Sequence, residues 1–207
     1  MKSIAAAIIT VLSWVGVSAH AQTWPAKPVR IIVPASPGGT TDLTARLLAK
    51  KYTEALGQTF VVDSRGGAGG MIGTEAALRA PADGYTIFFS SSSLSVNATL
   101  FGAKLKFDPT RDFAPVIWTS SVPLLLTLHP SVPAKSAKEL ATLSRQVRKG
   151  LNGGHNGSGT TSLIALEMYR QATGIALQSI AYKGGGPAAA IARNGAQRLP
   201  RRGLRSR

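Results

Sequence analysis

Two short segments of this chain combine glycine, hydroxyl side chains and the start of a helix: Pro37-Gly38-Gly39-Thr40-Thr41 and Gly157-Ser158-Gly159-Thr160-Thr161-Ser162. Glycine lets the backbone come close to a bound group, hydroxyls donate hydrogen bonds, and the unpaired N–H groups at a helix start carry partial positive charge. That chemistry captures a small anion such as a carboxylate and does not transform it. For either segment alone, an ordinary strand-to-helix turn is the competing reading. Asp42 lies in the first helical turn and uses the same dipole that a ligand carboxylate would use, so it either braces the first loop or receives a ligand's hydroxyl or ammonium group. Tyr182 and Lys183 offer an apolar wall and a cation, although a lysine in a turn is equally at home in solvent.

Catalytic readings find little support. With no cysteine, thiol catalysis, zinc–thiolate sites and iron–sulfur clusters are excluded. His129 and His155 have no carboxylate cluster at ligand spacing, so no metal is expected. The serine-rich loops lack a recognisable base, and neither the nucleophile-elbow nor the phosphate-loop pattern occurs. The glycine run at residues 67–73 resembles a dinucleotide fingerprint, but it does not follow its strand directly and lacks the acidic partner. The chain is therefore expected to be no enzyme and to carry no cofactor.

The elements that must hold these loops follow from pattern. Residues 29–33 are a short β-branched run ended by Pro34 and read as a buried strand. A helix should follow, with Thr40 or Thr41 as N-cap, Leu43, Leu47 and Leu48 facing inward, and Gly57 as the stop. Residues 60–62 form a second strand, 65–70 a glycine-rich loop, 71–78 a helix and 86–89 a third strand. That strand runs into a hydroxyl cluster at 90–93, with Asn97 just beyond. Short strands alternating with helices predict an α/β fold with mostly parallel sheets, whose ligand sites lie at the strand carboxyl ends. Two β-rich stretches, 114–119 and 124–128, mark a crossing into a second lobe. Ser136 and Glu139 form a capping box opening a helix to about residue 147. A glycine-rich loop at 153–159, a helix ended by Gly174, a strand at 175–180 and a turn at 182–187 into another helix repeat the design of the first lobe.

The ends differ in character. Lys2, the apolar run 4–17 and Ala19-His20-Ala21 read as a signal peptide over residues 1–21, hence export to the periplasm. The lobes are then 22–122 and a partial second lobe, 123–192. Of the formal charge of +15, six arginines in residues 193–207 supply +6 and leave +9 over residues 1–192. The rest is scattered and lacks the aromatic-basic stripe of nucleic-acid platforms, so no nucleic-acid partner is expected. Residues 193–207 read as a basic tail of out-of-frame character, with a genuine basic tail as the alternative.

The residues that carry a family resemblance are Trp24-Pro25, Lys27-Pro28, the strand ending in Pro34, Pro37-Gly38-Gly39 with Asp42, and the 66–73 loop. With them stand Asp83-Gly84-Tyr85-Thr86, Asp108-Pro109 with Asp112-Phe113, Pro133-Ala134-Lys135-Ser136 and Tyr182-Lys183-Gly184. In combination the chain resembles the Bug family, receptors of tripartite tricarboxylate transporters. The resemblance implies a type II periplasmic binding protein fold, two lobes closing on a small organic anion, with the second lobe incomplete. It further implies carboxylate contacts from Ser36, Gly38, Gly39, Thr40 and Asp42, with Ser92, Ser93 and Asn97, in the first lobe. From the second lobe it implies Ser158, Thr160, Thr161 and Ser162, together with Tyr182, Lys183 and Gly184. Relatives often carry His where this chain has Leu163. The expected function is capture of a di- or tricarboxylate or related anion by a monomer that delivers it to the transporter's membrane subunits. A truncated fragment of such a receptor, inert or regulatory, is the alternative.

Overall fold

The computed structural model describes residues 23–147 and 150–194. The expectation for residues 1–21 lies outside them, as does that for the tail beyond Asn194. Among the described residues no helix is long and apolar enough to cross a membrane.

Two parallel sheets organise the chain. The first is built from β1 (Val29–Val33), β2 (Phe60–Ser64) and β3 (Thr86–Phe88), in the order β2-β1-β3. β1 is the central strand, and Val29, Ile31, Ile32 and Val33 are almost wholly buried, as a strand covered on both faces requires. Helices α1 (Thr40–Leu56), α2 (Met71–Leu78) and α3 (Ser93–Phe101) follow β1, β2 and β3 respectively. The second sheet pairs β4 (Leu151–His155) with β5 (Leu177–Ala181), again in parallel. Helix α4 (Ala137–Gln146) precedes β4, α5 (Thr161–Thr173) follows it, and α6 (Gly185–Asn194) follows β5. Each sheet has its own core: Val29, Ile31, Val33, Ala45, Ala49 and Phe60 in one, Leu140, Ala141, Leu151 and Ile175 in the other.

Several elements differ from expectation for identifiable reasons. Helix α1 does not turn Leu43 and Leu47 inward; they are 58% and 62% exposed, Leu48 is half-buried, and the buried positions are Asp42, Ala45 and Ala49. Hydrogen bonds that the Asp42 carboxylate accepts from Ser64 Oγ and from Gly38 N–H in the loop before the helix fix this rotation, and the small alanines let the helix lie close on β1. The N-cap is Gly39, in extended conformation and without a side-chain cap, rather than Thr40 or Thr41. Gly57 ends the helix in the left-handed region at φ 70° as expected. Neither 114–119 nor 124–128 forms a strand: the chain there is a ribbon, exposed along most of its length, with Val116 90% and Trp118 83% exposed, until Leu128 packs against the second core. The described sheets place no strand alongside it, and an unpaired β-prone segment has nothing to complete its ladder.

The glycine-rich stretch at 153–159 also divides differently, its first three residues completing β4. A Cβ at Gly153 would stand 3.0 Å from the Leu166 side chain, and one at Gly154 3.0 Å from the Tyr182 ring, so these strand glycines serve close packing. The strand expected at 175–180 is β5, shifted to Leu177–Ala181, with Ile175 given to the core. The capping box forms: Glu139 N–H donates to Ser136 Oγ at 3.2 Å, and the Glu139 carboxylate reaches back to Lys135 N–H at 2.8 Å.

Candidate functional site

Every strand ends in a loop on the same side of the molecule, where a parallel sheet presents its carboxyl ends. Ser36 to Gly39 follow β1, Arg65 to Gly70 follow β2, Ser90 to Ser92 follow β3, Asn156 to Thr160 follow β4, and Tyr182 to Gly184 follow β5. The loops of the two sheets meet. Ser36 Oγ–H donates to the Lys183 carbonyl in a very short contact. A Cβ at Gly69 would fall 2.0 Å from Ser158 O, one at Gly159 1.8 Å from Asn97 Oδ1, and one at Gly184 2.9 Å from Ser36 Oγ. Glycine is thus what lets the backbones of the two halves touch along this seam.

On the first side, Gly38 lies at φ 76° and donates its N–H to Asp42 Oδ2 at 2.9 Å. Asp42 is 1% exposed and also accepts from Arg46 Nε at 3.0 Å and from Ser64 Oγ. Burial works to raise its pKa, but the hydrogen bonds from Arg46, Ser64 and Gly38 outweigh it and hold the carboxyl below the ordinary Asp value. Its contacts are those of a brace: a charge satisfied from within the protein, fixing the turn that carries Gly38 and Gly39. Gly39 is buried, while Gly38 and Thr40 are open to solvent at the head of α1.

On the second side, Thr160 is buried and is the N-cap residue of α5. Its hydroxyl donates to Gly157 O at 2.6 Å and lies 3.0 Å from Ser162 Oγ, which accepts from Asn156 N–H at 3.0 Å. Buried His155 accepts from Gly157 N–H at its Nδ1, at 3.2 Å. The loop is therefore tied into one shape, with Ser158 exposed at its tip and Thr161 half-buried in the first turn of α5. The Lys183 side chain is exposed, and its carbonyl holds Ser36; the Tyr182 ring lies along Gly154, and Gly184 meets Ser36.

Asn97, in α3, is the buried polar side chain at the seam, 1% exposed. Its Nδ2 donates to Gly69 O at 3.0 Å, which orients its Oδ1 toward Gly159, and that oxygen has no hydrogen-bond partner. Ser92 precedes α3 and is exposed, and Ser93 is its first, half-buried residue. Sequence reasoning thus named residues from four of the five loops. It missed Arg46, Ser64, His155 and Asn156, which shape the loops from behind. Ser64 had no sequence signal, because its place beside Asp42 depends on the pairing of β1 with β2. Among the described residues no group of three or more His, Asp or Glu is placed to hold a metal ion.

Comparison with known proteins shows the family. Residues 44–196 match the family described as tripartite tricarboxylate transporter family receptor. The chain belongs to this family. It is 37% identical over 192 residues to BugT of Bordetella pertussis, covering 91% of this chain and 59% of BugT. Among solved structures it resembles R. palustris Rpa4515 with adipate, at 35% identity and a TM-score of 0.76 over 82% of this chain and 56% of that one. It also resembles MatC from Rhodopseudomonas palustris with bound malate, at 28% identity and a TM-score of 0.73 over 82% of this chain and 57% of that one. The chain thus spans less than two thirds of the length of these relatives. The family is one of periplasmic solute-binding receptors, not enzymes, and the α/β architecture with two parallel sheets is that of a periplasmic binding protein.

Proposed function

We propose that this chain is a receptor for a small carboxylate, held at the seam where the loops after the five strands converge. The observation that carries the reading is the meeting of loops from the two sheets: a Cβ at Gly39 would lie 3.8 Å from Gly186 N at the head of α6, one at Gly69 2.0 Å from Ser158 O, and internal hydrogen bonds fix the glycine and hydroxyl loops before α1 and α5 in shape. A carboxylate placed there meets N–H groups that the helices leave unpaired, and the rigid loops lose little freedom on binding it. Carboxylate ligands in the related structures, adipate in one and malate in another, support the class of solute.

In this reading residues 1–21 direct export, 22–122 and 123–192 are the two lobes, and the loaded receptor delivers its solute to the membrane subunits of a tripartite transporter. Gly38, Gly39 and Thr40 serve the solute from the first set of loops, and Ser158, Thr161 and Ser162 from the second. Asp42 and Thr160 hold the two loops in form, and Ser36 joins them to Lys183 and Gly184.

Calorimetric titration of the purified chain with succinate, malate, adipate and citrate tests the proposal. Saturable binding of at least one acid, lost in the double variant Gly38→Val with Thr160→Val, is the expected result. Valine is strained at φ 76°, and the second change deletes the hydroxyl that ties Gly157. No saturable heat with any of the four overturns it and returns the alternative of a receptor fragment that does not transport.

A further inference from the structure

Part of the exposed ribbon has the same character read from either end. In Pro115-Val116-Ile117-Trp118-Thr119-Ser120-Ser121-Val122-Pro123, valine and then proline recur at equal distances on the two sides of Thr119. Val116, Ile117, Trp118 and Val122 are 90%, 73%, 83% and 54% exposed. Among the described residues, the backbone of 116–122 takes part in one hydrogen bond, accepted by Ser120 O from the Trp118 indole N–H at 2.6 Å. Native proteins guard a β-prone edge with charges, proline or a covering element. Here proline stands only at the two ends, and no Asp, Glu, Lys or Arg occurs between Asp112 and Lys135. Such a segment takes up another strand. Two copies of a chain of formal charge +15 repel each other over most of their surface and meet most easily where charge is absent. A partner of opposite charge would find nothing in this segment to hold it.

We propose that the ribbon pairs with its counterpart in a second copy of this chain, antiparallel and two-fold symmetric about Thr119, so that the chain forms a dimer and not the monomer expected from the sequence. In that register Val116 lies opposite Val122 of the second copy and Trp118 opposite Ser120, with the two tryptophans on one face in diagonal reach. The prolines, which cannot donate to a ladder, fall where the pairing ends. When Thr119 exchanges hydrogen bonds with its counterpart, Ile117 and Ser121 also turn their backbone groups inward, and Ser120 turns its carbonyl to the outer edge. There the Trp118 indole already occupies it. The outer edge is blunted, and the assembly closes at two chains.

Light scattering on the 207-residue chain, from low to high concentration, should show the mass rising from one chain to two and no further. Thr119→Lys and Thr119→Glu each set like charges opposite one another and should weaken the dimer about fivefold, whereas an equimolar mixture of the two should regain it. Misfolding of either variant could not produce that recovery. The chain has no cysteine, so one introduced at Thr119 bridges only to another copy. A hydrogen-bonded antiparallel pair holds its Cα atoms about 5.5 Å apart, within disulfide reach. With a mild oxidant, Thr119→Cys should give mainly covalent dimer, and Thr142→Cys, exposed on α4, should not. A single-chain mass at every concentration, growth beyond two chains, no recovery in the mixture, or equal cross-linking of the two cysteine variants overturns the proposal.

Discussion

Asp42 accepts the backbone N–H of Gly38, four residues before it, at 2.9 Å, so the carboxylate closes the turn that opens its own helix. The usual N-cap arrangement places the side chain ahead of the helix; here it lies inside the first turn and reaches back. Removing it should free Gly38 and leave Ser64 without its partner. Asp42→Ala is expected to lower stability by about 2 kcal/mol, measured by urea unfolding, because several hydrogen bonds to a buried charge are lost while Arg46 remains half in solvent. An unchanged midpoint would show that the loop is held by other contacts.

The same group sets a pH dependence. The folded pKa of Asp42 lies below its ordinary value, so its contribution to stability is fully present above the unfolded value and is lost as pH falls through the folded one. The stability difference between the wild type and Asp42→Asn should therefore be constant from neutral pH down to about 5, and shrink as pH falls below about 4. Unfolding curves at a series of pH values check this. A difference that grows on acidification would contradict the assigned direction.

The seam predicts a contrast between two glycines. Gly38 and Gly69 both lie at positive φ, 76° and 66°, so alanine strains each. A Cβ at Gly38 meets nothing within 4 Å, whereas one at Gly69 would fall 2.0 Å from the Ser158 carbonyl. Both variants should lose about 1 kcal/mol of stability. Only Gly69→Ala should separate the two halves, seen as a larger radius of gyration in small-angle X-ray scattering. Identical scattering from the two variants would show that the contact between the loops does not persist in solution.

The capping box gives a local test remote from the site. Ser136→Ala should cost about 1 kcal/mol by removing the acceptor of Glu139 N–H, and should leave carboxylate binding unchanged. Thermal unfolding measures the first and calorimetry the second.

The strands, the helix stops at Gly57 and Gly174 and the parallel pairing were legible because each is a local signal: a β-branched run, a left-handed glycine, a strand followed by a helix. The rotation of α1 was not. A hydrophobic stripe through Leu43 and Leu47 is the natural reading of the pattern. It lost to a polar contact, Asp42 with Ser64, that exists only once β1 and β2 lie side by side. The ribbon at 114–128 misled for the opposite reason: its residues favour strand, and strand needs a neighbour. Asn97 could be named from the sequence, but not the unpaired state of its Oδ1, which depends on Gly159 arriving from the other sheet.

That ribbon joins the two sheets without helix or strand of its own. A connection of this kind guides the halves loosely and mainly keeps them near one another. Encounter between the two sets of loops becomes intramolecular, at an effective concentration on the order of millimolar. At such a concentration even a weak attraction between the halves holds them together much of the time, and a bridging solute need add only a little. Lengthening the ribbon would dilute one half with respect to the other without touching any residue at the seam, so sensitivity to solute depends on the length of the chain between the sheets as well as on the loops that grasp it.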